Sequence, residues 1–112
     1  MRVDSLLYVE DDERLRETMQ RQFARAICSD VETAENSGPA LEMARRKRYD
    51  LIIMDGLEGA CFALYEGLKD IPHGDVVIFS GDDRYRGMAE SLGIPFYKKF
   101  EDLSKLTNTY RD

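Results

Sequence analysis

Short, wholly apolar runs alternate along the chain with stretches whose apolar residues recur every three or four positions. Leu6-Leu7-Tyr8-Val9 is unbroken until it meets Glu10, Asp11, Asp12 and Glu13. A run of this length without polar alternation predicts a strand buried on both faces. Leu15, Met19, Phe23 and Ile27 then follow at intervals of four, the spacing of one helical face, with Asp12 placed as its cap and acids in its first turn. Residues 31–34 are half polar, as an edge strand is. Asn36-Ser37-Gly38-Pro39 opens a second helix, with Leu41, Met43 and Ala44 inward and Arg45-Arg46-Lys47-Arg48 in its last turn.

The same alternation continues. Leu51-Ile52-Ile53-Met54 is the most apolar run and ends in Asp55-Gly56. Residues 60–69 read as a short helix weakened by Gly67, and Ile71-Pro72-His73-Gly74 as a turn. Val76-Val77-Ile78-Phe79 is a buried strand ending in Ser80-Gly81. Tyr85, Met88, Ala89 and Leu92 mark a short helix closed by Gly93. Residues 94–98 form a fifth strand led by Ile94 and Pro95, and Leu103, Leu106 and Tyr110 a last helix. Five β–α units of this kind predict an α/β fold, a parallel sheet covered on both faces.

Composition narrows the possibilities. The chain has 112 residues, enough for one domain over 1–112, and 43% hydrophobic with 34% charged residues suits a folded chain. The net charge of −6 argues against a nucleic-acid groove and against an anionic membrane surface. No apolar stretch approaches the roughly 18 residues that span a bilayer, and the N-terminus does not read as a signal peptide. Cys28 and Cys61 form no metal pattern and read as reduced thiols of a cytoplasmic protein. His73 reads as a loop residue, and the basic run 45–48 as a solvated helix end.

Candidate chemistry collects where the strands end. In an open parallel sheet, ligands bind outside the carboxyl ends of the strands. Those ends deliver Glu10, Asp11 and Asp12, then Asp55, Ser80 and Lys98. Carboxylates about 5 Å apart at an effective dielectric near 20 repel by about 3 kcal/mol per pair, so they must protonate or hold a cation. Oxygen ligands in a partly open site suit Mg²⁺. With Ser80 and Lys98 beside them, the inventory describes phosphoryl transfer to a carboxylate. Asp55, which ends the most apolar strand and has Gly56 to leave its approach open, is the nucleophile candidate.

In these segments the chain resembles the response-regulator receiver domain of two-component signalling. The matching pieces are Leu-Leu-Tyr-Val-Glu-Asp-Asp (6–12), Tyr-Asp-Leu-Ile-Ile-Met-Asp (49–55), Val-Val-Ile-Phe-Ser-Gly (76–81) and Phe-Tyr-Lys-Lys-Phe (96–100), and the 44 positions from Asp11 to Asp55 also fit. The resemblance implies a flavodoxin-like sheet of order 2-1-3-4-5 and a phospho-acceptor at Asp55. It implies Mg²⁺ held by Glu10, Asp11, Asp55 and the Leu57 backbone carbonyl, with Ser80 and Lys98 on the phosphoryl oxygens and Gly81 as the small residue giving access. It further implies a histidine kinase or histidine phosphotransfer protein as donor and output through protein–protein contact.

The chain departs from the family pattern in several places. The intervals Asp55–Ser80 and Ser80–Lys98 are short, which predicts truncated third and fourth helices. Counted from Lys98, the family's following proline is replaced by Lys99, and its switch aromatic, three residues earlier, by Pro95. Tyr97, or movement of the loop after Ser80, is then the candidate to replace the aromatic; otherwise Tyr97 packs on the fourth helix. Other readings fit less well. A phosphatase with a strand-end aspartate wants a second acid at position 57, which is leucine; a nucleotide- or flavin-binding module wants a glycine-rich first turn, which here is acidic. A phosphorylation-independent interaction domain of the same fold is the remaining alternative.

Overall fold

A computed structural model describes residues 2–111. The elements are β1 (Leu6–Val9), α1 (Glu13–Ala26), β2 (Val31–Ala34), α2 (Ser37–Arg46), β3 (Leu51–Met54), α3 (Ala60–Leu68), β4 (Asp75–Ser80), α4 (Arg86–Leu92), β5 (Phe96–Lys98) and α5 (Leu103–Tyr110). Single 3₁₀ turns at Leu57–Gly59 and Asp83–Tyr85 lead into α3 and α4. The strands form one parallel sheet of order β2-β1-β3-β4-β5. This is the flavodoxin-like order that the resemblance implies, and α3 and α4 are short, at nine and seven residues.

The apolar runs explain the layers. Every residue of β1 and β3 is buried, because these strands lie inside the sheet with helices on both sides. Odd and even positions then feed two cores. Leu7, Val9, Ile52, Met54 and Ile78 face α2, α3 and α4; Leu6, Tyr8, Ile53, Val77 and Phe79 face α1 and α5. On the second face Tyr8, Phe23, Phe79 and Phe100 form a row of edge-to-face rings, with centroids 5.1, 6.0 and 6.5 Å apart. Such pairs contribute about 1 kcal/mol each beyond area burial when fully enclosed. Asp12 caps α1 as its position predicts, accepting the Leu15 N–H at 3.0 Å.

Several local expectations are corrected. Ile94 and Pro95 precede β5 rather than starting it: Ile94 is buried in the core, and the Pro95 carbonyl accepts the Ile78 N–H at 2.9 Å. Tyr85 belongs to the 3₁₀ turn, not to α4, and Met88 is 53% exposed. On so short a helix only Ala89 is fully buried. His73 is half-buried, with Nδ1 2.5 Å from the Gly74 carbonyl oxygen.

The basic run is largely consumed by neighbouring acids. Lys47 bridges Asp30 and Glu32 at 2.9 and 2.6 Å, Arg46 pairs with Glu42, and Arg48 with Asp50. Asp50 also accepts the Asp4 N–H at 2.8 Å, tying the lead-in of β1 to that of β3. This backbone N–H, and then Arg48, hold the Asp50 carboxyl below its ordinary 3.8. A lowered carboxyl stabilises the fold above the unfolded value and loses that contribution as pH falls through the folded one. Asp50→Asn should therefore be less stable than the parent near pH 7, by up to about 1 kcal/mol for this largely solvated pair. Urea denaturation should show the difference closing as the pH falls below 3.8.

Candidate functional site

The parallel ladders continue one residue past each strand, and this extension sets the site. Glu10 N–H donates to the Ala34 carbonyl at 3.0 Å, Asp55 N–H to Val9 at 2.8 Å, and Lys99 N–H to Ser80 at 2.9 Å. Three strand ends thus hold three charged residues by their backbones on one edge of the sheet. Alternation decides where the side chains go. Tyr8 and Glu10, Ile53 and Asp55, and Tyr97 and Lys99 are pairs two residues apart, and Tyr8, Ile53 and Tyr97 all lie on the α1/α5 face.

The structure therefore brings Lys99, not Lys98, to Asp55. The Lys99 ammonium lies 2.5 Å from Asp55 Oδ1 and 2.7 Å from Glu10 Oε1, with its side chain only 13% exposed. Lys98 pairs in register with Ser80 and points to the other face, where its ammonium meets Asp83 at 2.7 Å. The correction moves the counting by one. Phe96, not Pro95, lies three residues before the lysine; it packs on the α2–α4 core beneath the Arg86 guanidinium, 4.5 Å from its ring centre. Tyr97 packs on the α5 side, its hydroxyl 3.5 Å from Thr109 Oγ1, and not on α4. Phe100 follows the lysine with φ +69°, closing a γ-turn in which Glu101 N–H donates to the Lys99 carbonyl at 2.9 Å.

Glu10 is almost fully enclosed. Its Oε1 accepts the Tyr8 hydroxyl at 2.9 Å as well as Lys99, and its Oε2 accepts the Asp12 N–H at 3.2 Å. Burial pushes the Glu10 carboxyl above its ordinary 4.5, against the lowering influence of the Lys99 hydrogen bond. Burial works to lower the Lys99 ammonium, but its bonds to Asp55 and Glu10 outweigh this and leave it raised. Burial and the Glu10 charge push the Tyr8 hydroxyl far up, so it stays a proton donor to Glu10. Cys61, buried behind Asp55, is pushed up to about 11 by burial and then by the Asp55 charge, which makes it an inert core thiol.

Glu10, Asp11 and Asp55 each offer a carboxylate oxygen within 4.8 Å of the others. Three hard oxygen donors, one of them on the exposed Asp11, fit a divalent cation that keeps part of its water shell. The Leu57 carbonyl accepts the Ala60 N–H, using one of its two lone pairs, while Leu57 N–H donates to Asp55 Oδ2 at 3.0 Å. Ser80 is buried at the end of β4, and its hydroxyl accepts the Asp82 N–H at 3.1 Å. Gly81 is not required by crowding, since an added Cβ would touch only Lys99 Cβ, at 4.0 Å. The room left by Gly56 is taken up on one side by the Tyr85 ring, 2.7 Å from where a Cβ would sit. The sequence reading missed Lys99 and Tyr85; strand alternation was the signal for the first.

Removing one partner from an enclosed ion pair leaves an uncompensated charge. Lys99→Met should cost roughly 3 kcal/mol at pH 7 in a chelator, because two buried carboxylates lose their counter-charge. Lys98→Met, at a more solvated pair, should cost clearly less. Urea denaturation of the two variants checks the assignment: equal costs would contradict it.

Residues 6–94 match the family model for the response regulator receiver domain. A search of curated proteins returns no match. Among solved structures, the chain is similar to a CheY-like response regulator receiver domain from Methylobacillus flagellatus, at TM-score 0.78 and 19% identity over 97% of this chain and 99% of that one. It is similar to chemotaxis protein CheY4 of Vibrio cholerae, at TM-score 0.69 and 18% identity over 96% and 98%. A third likeness is to the N-terminal domain of an uncharacterized protein from Wolinella succinogenes, at TM-score 0.69 and 24% identity over 96% and 89%. At these identities the structural likenesses speak for the fold, whereas the family match spans most of the chain, which belongs to the response regulator receiver domain family.

Proposed function

We propose that Asp55 accepts a phosphoryl group from a phosphohistidine of a histidine kinase or histidine phosphotransfer protein, and that the phosphorylated chain signals through protein–protein contact. The observation that carries this reading is the Lys99 ammonium resting on the Asp55 carboxylate at the end of β3, with Glu10 and Asp11 alongside. In the transfer an Asp55 oxygen attacks phosphorus, and the bond from phosphorus to the histidine nitrogen breaks. Catalysis of such a step is mainly positioning and charge neutralisation. Lys99 supplies positive charge to one phosphoryl oxygen and releases Asp55 as it does so. Ser80 can donate its hydroxyl to another oxygen, exchanging its present role as acceptor from Asp82.

Glu10, Asp11 and Asp55, with the Leu57 carbonyl, would hold Mg²⁺, which supplies charge stabilisation to the phosphoryl oxygens. Glu10 is fixed by Tyr8 and Asp12, and Asp11 is the exposed member that completes the set. The self-catalysed part of the chemistry is limited to taking up and losing the phosphoryl group. The Lys99 ion pair alone has a structural use, but Ser80 and the exposed Asp11 beside it are what phosphoryl transfer would need, which favours that reading over a phosphorylation-independent role.

Incubation with phosphoramidate and Mg²⁺, followed by intact mass, tests the reading. The parent should gain one phosphoryl group. Asp55→Asn should gain none while keeping its fold, since amide and carboxylate are nearly isosteric. Asp11→Asn should require roughly tenfold more Mg²⁺, having lost one of few charged ligands. Undiminished phosphoryl uptake in the Asp55 variant would move the acceptor elsewhere.

A further inference from the structure

The segment after β4 turns back across the site before α4 begins. Asp82 caps this turn: its carboxylate accepts the Arg84 N–H at 2.9 Å and the Arg84 guanidinium at 2.6 to 3.0 Å. The next side chain, Tyr85, is thereby laid on the turn that follows Asp55. A Cβ on Gly56 would lie 2.7 Å from Tyr85 Cε2 and 2.9 Å from Cδ2, and one on Gly59 would lie 3.8 Å from Cε1. The ring, with Ser80 Oγ at 2.9 Å, thus occupies the space that a side chain at position 56 would otherwise fill. Phe62 of α3 meets it edge-on at 6.0 Å and holds it from behind. The open cleft beside Asp55, about 650 Å³, has this ring as one wall, with Ser80, Asp82, Arg84 and Glu58 as polar walls.

We infer that the Tyr85 ring is a positioning residue that keeps water off one flank of a phosphoryl group on Asp55 and so sets how long that group survives. The inference rests on the reading of Asp55 as acceptor and adds to it the control of its lifetime. Loss of the group requires a water oxygen to attack phosphorus in line with the bond to Asp55. That bond breaks with its electron pair returning to the carboxylate, inorganic phosphate leaves, and the water proton passes to solvent. A bulky ring beside the reacting group removes positions from which water can attack, and exclusion of water suppresses hydrolysis of reactive intermediates. The Tyr85 atoms nearest the Cβ positions of Gly56 and Gly59 are ring carbons, so the ring is the part of the side chain expected to carry the effect.

The full chain and its Tyr85→Phe, Tyr85→Leu and Tyr85→Ala variants are loaded with phosphoramidate in Mg²⁺, freed of donor, and followed by intact mass. Melting temperatures are measured in the same buffer. Tyr85→Phe should lose its phosphoryl group at the parent's rate, Tyr85→Leu faster, and Tyr85→Ala roughly tenfold faster than the parent. The order should follow side-chain bulk and not melting temperature. The inference is overturned if Tyr85→Ala loads and decays at the parent's rate, if Tyr85→Phe decays as fast as Tyr85→Ala, or if the rates follow melting temperature. Failure of both Tyr85→Ala and Tyr85→Leu to load, where the parent loads, also overturns it, because the ring would then serve uptake instead of protection. A parent that takes up no phosphoryl group removes the acceptor reading itself, a different result from any of these.

Discussion

One ammonium group holds the charged edge of this sheet together. Backbone ladders extended past β1, β3 and β5 bring Glu10, Asp55 and Lys99 to one place whatever their charges. Two carboxylates so enclosed would repel, and Lys99, bonded to both, offsets that repulsion. The same group that makes the resting site tolerable is the one a phosphoryl group would claim. On the proposed function, stability and phosphoryl uptake share a single side chain, and any change that draws Lys99 from Glu10 must supply other positive charge there.

The backbone bears its strain in the same neighbourhood. Among the described residues, the non-glycine positions with positive φ are Leu57, Glu58 and Phe100. The first two turn the chain just after Asp55, and the third just after Lys99. Left-handed backbone costs roughly 1–2 kcal/mol for such residues. Here it aims the Leu57 N–H at Asp55 Oδ2 and closes the turn that follows Lys99. Phe100 remains 62% exposed, its ring edge against Phe79 at the end of the aromatic row.

Much of this was legible in the residues. Unbroken apolar runs separated by helical periodicity suffice for a doubly covered parallel sheet, and acids at strand ends suffice for the acidic cluster at its edge. The adjacent Lys98 and Lys99 defeated simple counting, because a shift of one residue in a strand reverses the face. Phase would have separated them: Asp55 is in step with Ile53 on the α1/α5 side, and only Lys99 is in step with Tyr97 on that side. Tyr85 was illegible for another reason. Its partner is a glycine, and the absence of a side chain at position 56 has no pattern that points 29 positions along the chain. Met88 was misread because a helix of seven residues turns too little surface inward to bury each apolar position.

The clasp of Lys47 on Asp30 and Glu32 has a meaning beyond the end of α2. Strand β2 is an outer strand, and its unpaired backbone is a template on which another chain's strand could add. Lys47 lays a cation and two acids along that border, and the strand itself is only four residues long, with Glu32 and Thr33 only partly buried. The opposite border, β5, is three residues long and ends in Lys98, which is paired with Asp83. Both margins of the sheet are thus short and flanked by charge, which guards this fold against growth into edge-to-edge aggregates.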